Sequence, residues 1–128
     1  MKKGQIAAEF MVVFGIFLVG IILIVFAVWN SVGNAEKAAV DLEANRVLGI
    51  AASRINTVYL GGDGFSIGLA IPEKIGVYDY EIQFDGNLLM IELGQYTYAD
   101  KLLTRDITGT LAKGENTISN VNGTVVIS

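Results

Sequence analysis

The chain has 128 residues, with nine Lys or Arg against 13 Asp or Glu, a formal net charge of −4, and neither cysteine nor histidine. That length fits one modest domain plus an extended element, not two full domains. Without cysteine or histidine there are no disulfides, no thiolate chemistry, no usual zinc site and no His-based nucleophile triad; basic residues scattered singly from Lys37 to Lys113 argue against a nucleic-acid partner.

The chain opens on a short basic leader, residues 1–4, carrying Lys2 and Lys3 and ending at Gly4. From Gln5 to about Leu60 it reads as one nearly continuous helix with no proline. Phe10 to Trp29 is a run of 20 residues with no side chain more polar than glycine. At about 1.5 Å per residue it reaches roughly 30 Å, the thickness of a bilayer's hydrocarbon core. Residues 5–33 are therefore expected to form a membrane-spanning helix, apolar on every side. "WNSVGN" (Trp29 to Asn34) holds an interfacial aromatic, polar groups and Gly33, and a local bend or short break is expected there.

Residues 34–128 are expected to combine an amphipathic helix half with a C-terminal β head. Ala35, Ala38, Ala39, Leu42, Leu48, Ala52, Ile55 and Tyr59 recur mostly at helical steps and are assigned to the buried face. Lys37 and Asp41, and Glu43 and Arg46, are spaced to pair on its surface. "LGGDG" (Leu60 to Gly64) ends the helix, because glycine supplies the backbone conformations that stop one. A lone acid among glycines marks a turn there in preference to a metal loop.

Beyond Gly64 the period changes to two. Tyr78, Tyr80, Ile82 and Phe84 alternate with Asp79, Glu81, Gln83 and Asp85, which predicts a strand with one buried and one solvated face. "DGN" (Asp85 to Asn87) signals a turn, and "LLMIEL" is the return strand. Further strands are expected near Phe65–Ile71, Tyr98–Leu103, Asn116–Asn120 and Thr124–Ile127. So small a sheet cannot bury a sufficient core by itself. It needs the amphipathic helix half across its dry face. The fold class expected is α+β, a long helix carrying one antiparallel sheet as its head, lollipop fashion.

The bland reading of the first 30 residues is an uncleaved signal anchor or a secretory signal. The apolar run is too long for a secretory signal, and "FAVWN" (Phe26 to Asn30) lacks a small-x-small cleavage site. A simple anchor fits the hydropathy but leaves Glu9 without a purpose. "KKGQIAAEF" resembles the class III signal peptide of archaeal type IV pilins, the filament subunits of the archaeal cell surface. The resemblance implies that a prepilin peptidase cuts between Gly4 and Gln5, after the basic leader Lys2–Lys3. Glu9 then becomes the fifth mature residue. Ala7 departs from the serine common at the third. Over Lys2 to about Trp29 the likeness is specific; beyond that it is architectural, a pilin-like lollipop.

Physical reasons stand beside the resemblance. The lysines hold the leader on the cytoplasmic side, and a glycine leaves an enzyme room to reach the backbone. Cutting before the apolar run keeps the helix in the mature protein. A carboxylate at the edge of hydrocarbon is costly, so Glu9 is expected to attract the new α-amine of Gln5 in a neighbouring subunit and set the filament's stagger. The bland alternative leaves Glu9 solvated at headgroup level, near the favourable helix N-terminus. Ala7, Ala8, Gly15 and Gly20 are small positions where neighbouring helices can approach.

The resemblance implies the function of an extracellular filament subunit that serves surface adhesion or attachment. The partners expected are copies of itself, the membrane before assembly, the prepilin peptidase, and an assembly ATPase with its platform protein. No cofactor, metal or catalytic residue is expected. Asn122, in the only N-glycosylation sequon, is a candidate glycosylation site. The alternative is a membrane-tethered monomer or minor pilin-like component. An enzyme lacks an acid pair, nucleophile or ligand cluster, since Asp79, Glu81 and Asp85 have the usual solvated pattern. Archaellins, close relatives of the archaeal pilins, typically begin their shafts with an uncharged glycine-rich motif that "QIAAEF" does not resemble.

Overall fold

A computed structural model describes residues 2–128; Met1, part of the expected leader, lies outside the described residues. A long helix, α1 (Lys2–Gly61), is followed by β1 (Ser66–Ile71), β2 (Glu81–Asp85), β3 (Leu88–Leu93), β4 (Tyr96–Lys101), β5 (Ile107–Thr108), β6 (Gly114–Val121) and β7 (Thr124–Ile127). The class is α+β. Two compact units divide the chain between Ala39 and Val40.

Among the described residues, the first unit is helix alone. Its large apolar side chains range from 41% exposed at Ile21 to 77% at Trp29. Helical hydrogen bonding continues through Trp29–Asn34, so the short break expected there is absent. A single Gly33 costs a helix only about 1 kcal/mol, and beyond Asn34 come the helix formers Ala35, Glu36, Lys37 and Ala38. The helix also begins earlier than expected, at Lys2.

In the second unit, α1 buries Ala44, Val47, Leu48, Ala51, Ala52, Ile55 and Val58, which follow each other mostly at three- and four-residue steps, with Val40 partly covered. This corrects the expected face. Leu48, Ala52 and Ile55 are buried, but Leu42 is 73% exposed, and Ala35, Ala38, Ala39 and Tyr59 are exposed too. Alanine carries little directional information, and three alanines (Ala35, Ala38 and Ala39) pulled the expected stripe away from the branched residues Val47 and Val58. The helix stops as expected, with Gly62 and Gly64 at positive φ. Gly61 has a different reason: a Cβ there would lie 2.6 Å from the Phe65 ring.

The single antiparallel sheet expected is instead two sheets. One has the order β2-β3-β4, the other β1-β6-β7-β5. In the second, β5 runs parallel to β7, pairing Ile107 with Val125 and Thr108 with Val126. The sheet is therefore mixed. A two-residue strand carries no readable alternation, and its pairing comes from its place beside β7, where Val125 N–H donates to Asp106 O at 2.8 Å. Gly109 ends β5 at φ +97°, and a Cβ there would lie 2.3 Å from the Ile127 carbonyl oxygen.

Turn chemistry sets the three hairpins. Asp85 pairs with Leu88 around Gly86 (φ +60°), and Leu93 with Tyr96 around Gly94 (φ +62°). Both have glycine first, as the type II′ turn demands. Val121 pairs with Thr124 around Asn122 (φ 53°) and Gly123 (φ 85°), the Asn-Gly type I′ turn. The strand expected from Tyr78 starts only at Glu81. Tyr78 forms an isolated bridge with Ile75 and is 42% exposed, while Tyr80 is buried. Leu69, Ile71, Leu89, Ile91, Leu93, Ile118, Val125 and Ile127 from the two sheets join the α1 residues in one apolar cluster.

Candidate processing and assembly segment

Lys2, Lys3, Gly4, Gln5 and Glu9 lie in the first turns of α1 and all are exposed. Gln5 and Glu9 stand one turn apart on the same face, about 6 Å along the axis. No hydrogen bond or ion pair joins Glu9 to another of the described residues. Its first immediate neighbours along the chain are apolar: Phe10 begins the run, and its ring stacks on Phe14 with centroids 6.0 Å apart.

The run from Phe10 to Trp29 lies within a helix long and apolar enough to cross a membrane, and none of its most apolar window is buried by the rest of the chain. Consecutive residues, Phe10, Met11, Val12 and Val13, are all exposed, so the apolar surface surrounds the axis. Each such side chain left in water forgoes about 1.5–3 kcal/mol of burial. A surface of this kind demands lipid or protein around it.

The helical glycines give a second clue. Nothing lies within 4 Å of the position a Cβ would occupy at Gly4, Gly15, Gly20 or Gly33. No contact among the described residues requires glycine at these sites, although each weakens the helix by up to about 1 kcal/mol relative to alanine. Gly15 and Gly20 remain open positions for a neighbouring helix.

The second unit holds Asn122, exposed at the β6–β7 turn. Its N–H donates to Asp63 Oδ1 at 2.9 Å, so the acid of "GGDG" ties the end of α1 to this hairpin. Beside it, buried Asn120 Nδ2 donates to the Val58 and Tyr59 carbonyls at 3.1 and 3.2 Å, and its Oδ1 accepts from Gly123 N–H at 2.9 Å. One amide thus satisfies two last-turn carbonyls of the helix and fixes the hairpin. Asn56 Oδ1 accepts Leu103 N–H at 3.0 Å, anchoring the segment after β4. The sequence expectations do not include these asparagine roles; Asn122-Gly123 enters them only as part of a glycosylation sequon, although Asn-Gly is also a hairpin-turn signal.

Two tyrosines have raised pKa values. Tyr98 Oη donates to Asp41 Oδ1, and that hydrogen bond is the main cause that pushes the phenol up to about 12. Tyr80 Oη donates to the Pro72 carbonyl; burial first, then the Glu73 charge, raises it to about 12. Lys113 Nζ sits 4.9 Å from the Tyr80 ring centroid and 4.0 Å from Asp79. Arg46 forks onto Glu43 at 2.9 and 3.1 Å, the pairing its spacing predicts. These contacts hold the fold together, and none assembles a nucleophile with a base.

No family model, no curated protein and no solved structure matches this chain.

Proposed function

We propose that this chain is the structural subunit of an extracellular type IV pilus-like filament that serves surface adhesion. A prepilin peptidase removes the leader between Gly4 and Gln5, and the mature subunit polymerises through α1. Inserted first as a single-pass membrane precursor, it exchanges lipid for the helices of its neighbours. An assembly ATPase acting through a platform protein supplies the energy for extraction. Glu9 attracts the α-amine of Gln5 on the next copy and sets the axial offset. Asn122, at a hairpin tip, is open to glycosylation. The observation that carries the reading is the juxtaposition of a basic leader, a glycine, and an apolar helix surface that the chain leaves wholly uncovered.

A membrane-tethered monomer is the second reading, favoured by the same helix, which is long and apolar enough for a span. Mass spectrometry of filaments sheared from cells separates the two. Abundant protein with Gln5 as its N-terminal residue is the expected result. An intact Lys2–Lys3 leader confined to the membrane fraction selects the tethered monomer.

A further inference from the structure

We infer that cleavage at Gly4–Gln5 is gated by unwinding of the first turn of α1, and that Gly4 is a positioning residue whose task is to weaken that turn. This rests on the filament reading and deepens it, because it says what makes this bond the one that is cut.

The bond to be cut lies inside the helix, since α1 includes Lys2, Lys3, Gly4 and Gln5. In helical geometry the Gly4 carbonyl is the acceptor for the N–H of Ala8. A protease needs the opposite arrangement: an extended backbone whose scissile carbonyl is free of its own chain. Opening the bond therefore requires the turn around Gly4 to unwind first.

Three observations make this turn easy to open. Glycine is the weakest helix former after proline, and it loses the most backbone freedom when it enters a helix. Packing does not demand it here, because the space around its missing Cβ is empty to 4 Å. The first turn also contains no acidic side chain, while Lys2 and Lys3 place two cations at the positive end of the helix dipole.

Directly beyond the bond the balance reverses. Gln5, Ala7 and Ala8 are good helix formers, and Glu9 brings the first carboxylate. A weak turn meets a strong one at Gly4–Gln5. Unwinding that starts at the leader halts there, which presents one bond and leaves the mature helix folded from its new end.

The test uses the full unprocessed chain in detergent micelles with a prepilin peptidase, comparing the parent, Gly4→Ala and Ala8→Gly. Initial cleavage rates are measured together with the hydrogen-exchange protection of the residue 8 amide without enzyme. Gly4→Ala is expected to slow cleavage about fivefold, equivalent to ~1 kcal/mol at 1.4 kcal/mol per tenfold, and to raise protection. Ala8→Gly is expected to lower protection and to accelerate cleavage by a similar factor. Slower cleavage of both variants would mean that the enzyme reads side chains, and would overturn the inference. Unchanged rates would overturn it equally. A parent chain that is not cut at Gly4–Gln5 is a separate failure, which removes the filament reading itself.

Discussion

Phe17 and Ile55 belong to the same helix and are both large and apolar, yet Phe17 is 63% exposed and Ile55 is 0% exposed. The difference lies in the pattern around them. Between Phe10 and Trp29 apolar residues occupy every side, so no single face selects a partner within the chain. From Val40 onward charged and polar residues such as Asp41, Glu43, Asn45 and Arg46 interrupt the pattern, leaving a stripe that two sheets cover. The described residues leave the first region uncovered and cover the stripe of the second. Apolar content alone does not tell the two apart; periodicity does.

The comparison breaks most visibly at Glu9. Glu9→Gln is expected to abolish filaments while leaving the leader cleaved and the β unit folded, as electron microscopy and mass spectrometry of the same cells would show. Normal filaments from this variant would end the staggering role proposed for the carboxylate.

Next in size is a pair of truncations. Ile55→Ala removes a fully buried side chain and should cost about 2–5 kcal/mol, read as a lowered midpoint of denaturant unfolding. Phe17→Ala should leave that midpoint where it is, because Phe17 is 63% exposed and trimming it uncovers no core. A comparable loss from Phe17→Ala would show that the two regions are not energetically separate.

The smallest effect is on pH dependence. Tyr98 has a folded-state pKa of about 12, above its ordinary 10, chiefly through its hydrogen bond to Asp41. A raised pKa means the stabilisation is fully present below pH 10 and is lost as pH rises from 10 towards 12. Tyr98 stands near the surface, so solvent screening keeps the contribution small. Tyr98→Phe should flatten part of the alkaline decline in stability. The part due to Tyr80, which titrates in the same direction, should remain.

Much of the second unit was legible because its cues are local. "DGN" marks a hairpin, and "LLMIEL" is β3 to the residue. Thr124–Ile127 is β7 as expected. Other features depend on residues far apart in sequence. Asp63 meets Asn122, Asn120 meets the end of α1, and Tyr98 meets Asp41; no spacing rule links such positions. The period-two run from Tyr78 misplaced the start of β2, because a bridge to Ile75 around Gly76 turns the chain before Glu81. In the candidate segment, Lys2, Lys3, Gly4 and Glu9 stand out by residue type and order. That Lys2, Lys3 and Gly4 are helical does not follow from them.

By itself, the order of amino acids determined that one helix carries a bilayer-length apolar run, that glycines stop it, and that strands with tight turns follow. These properties arise from backbone conformation and from periodicity, which act over a few neighbours. Only the tertiary structure decided which face of α1 is buried, that the strands divide into two sheets, and that β5 joins β7 in parallel. Those choices depend on which distant side chains fit together at close-packed density, and local propensity does not encode that fit.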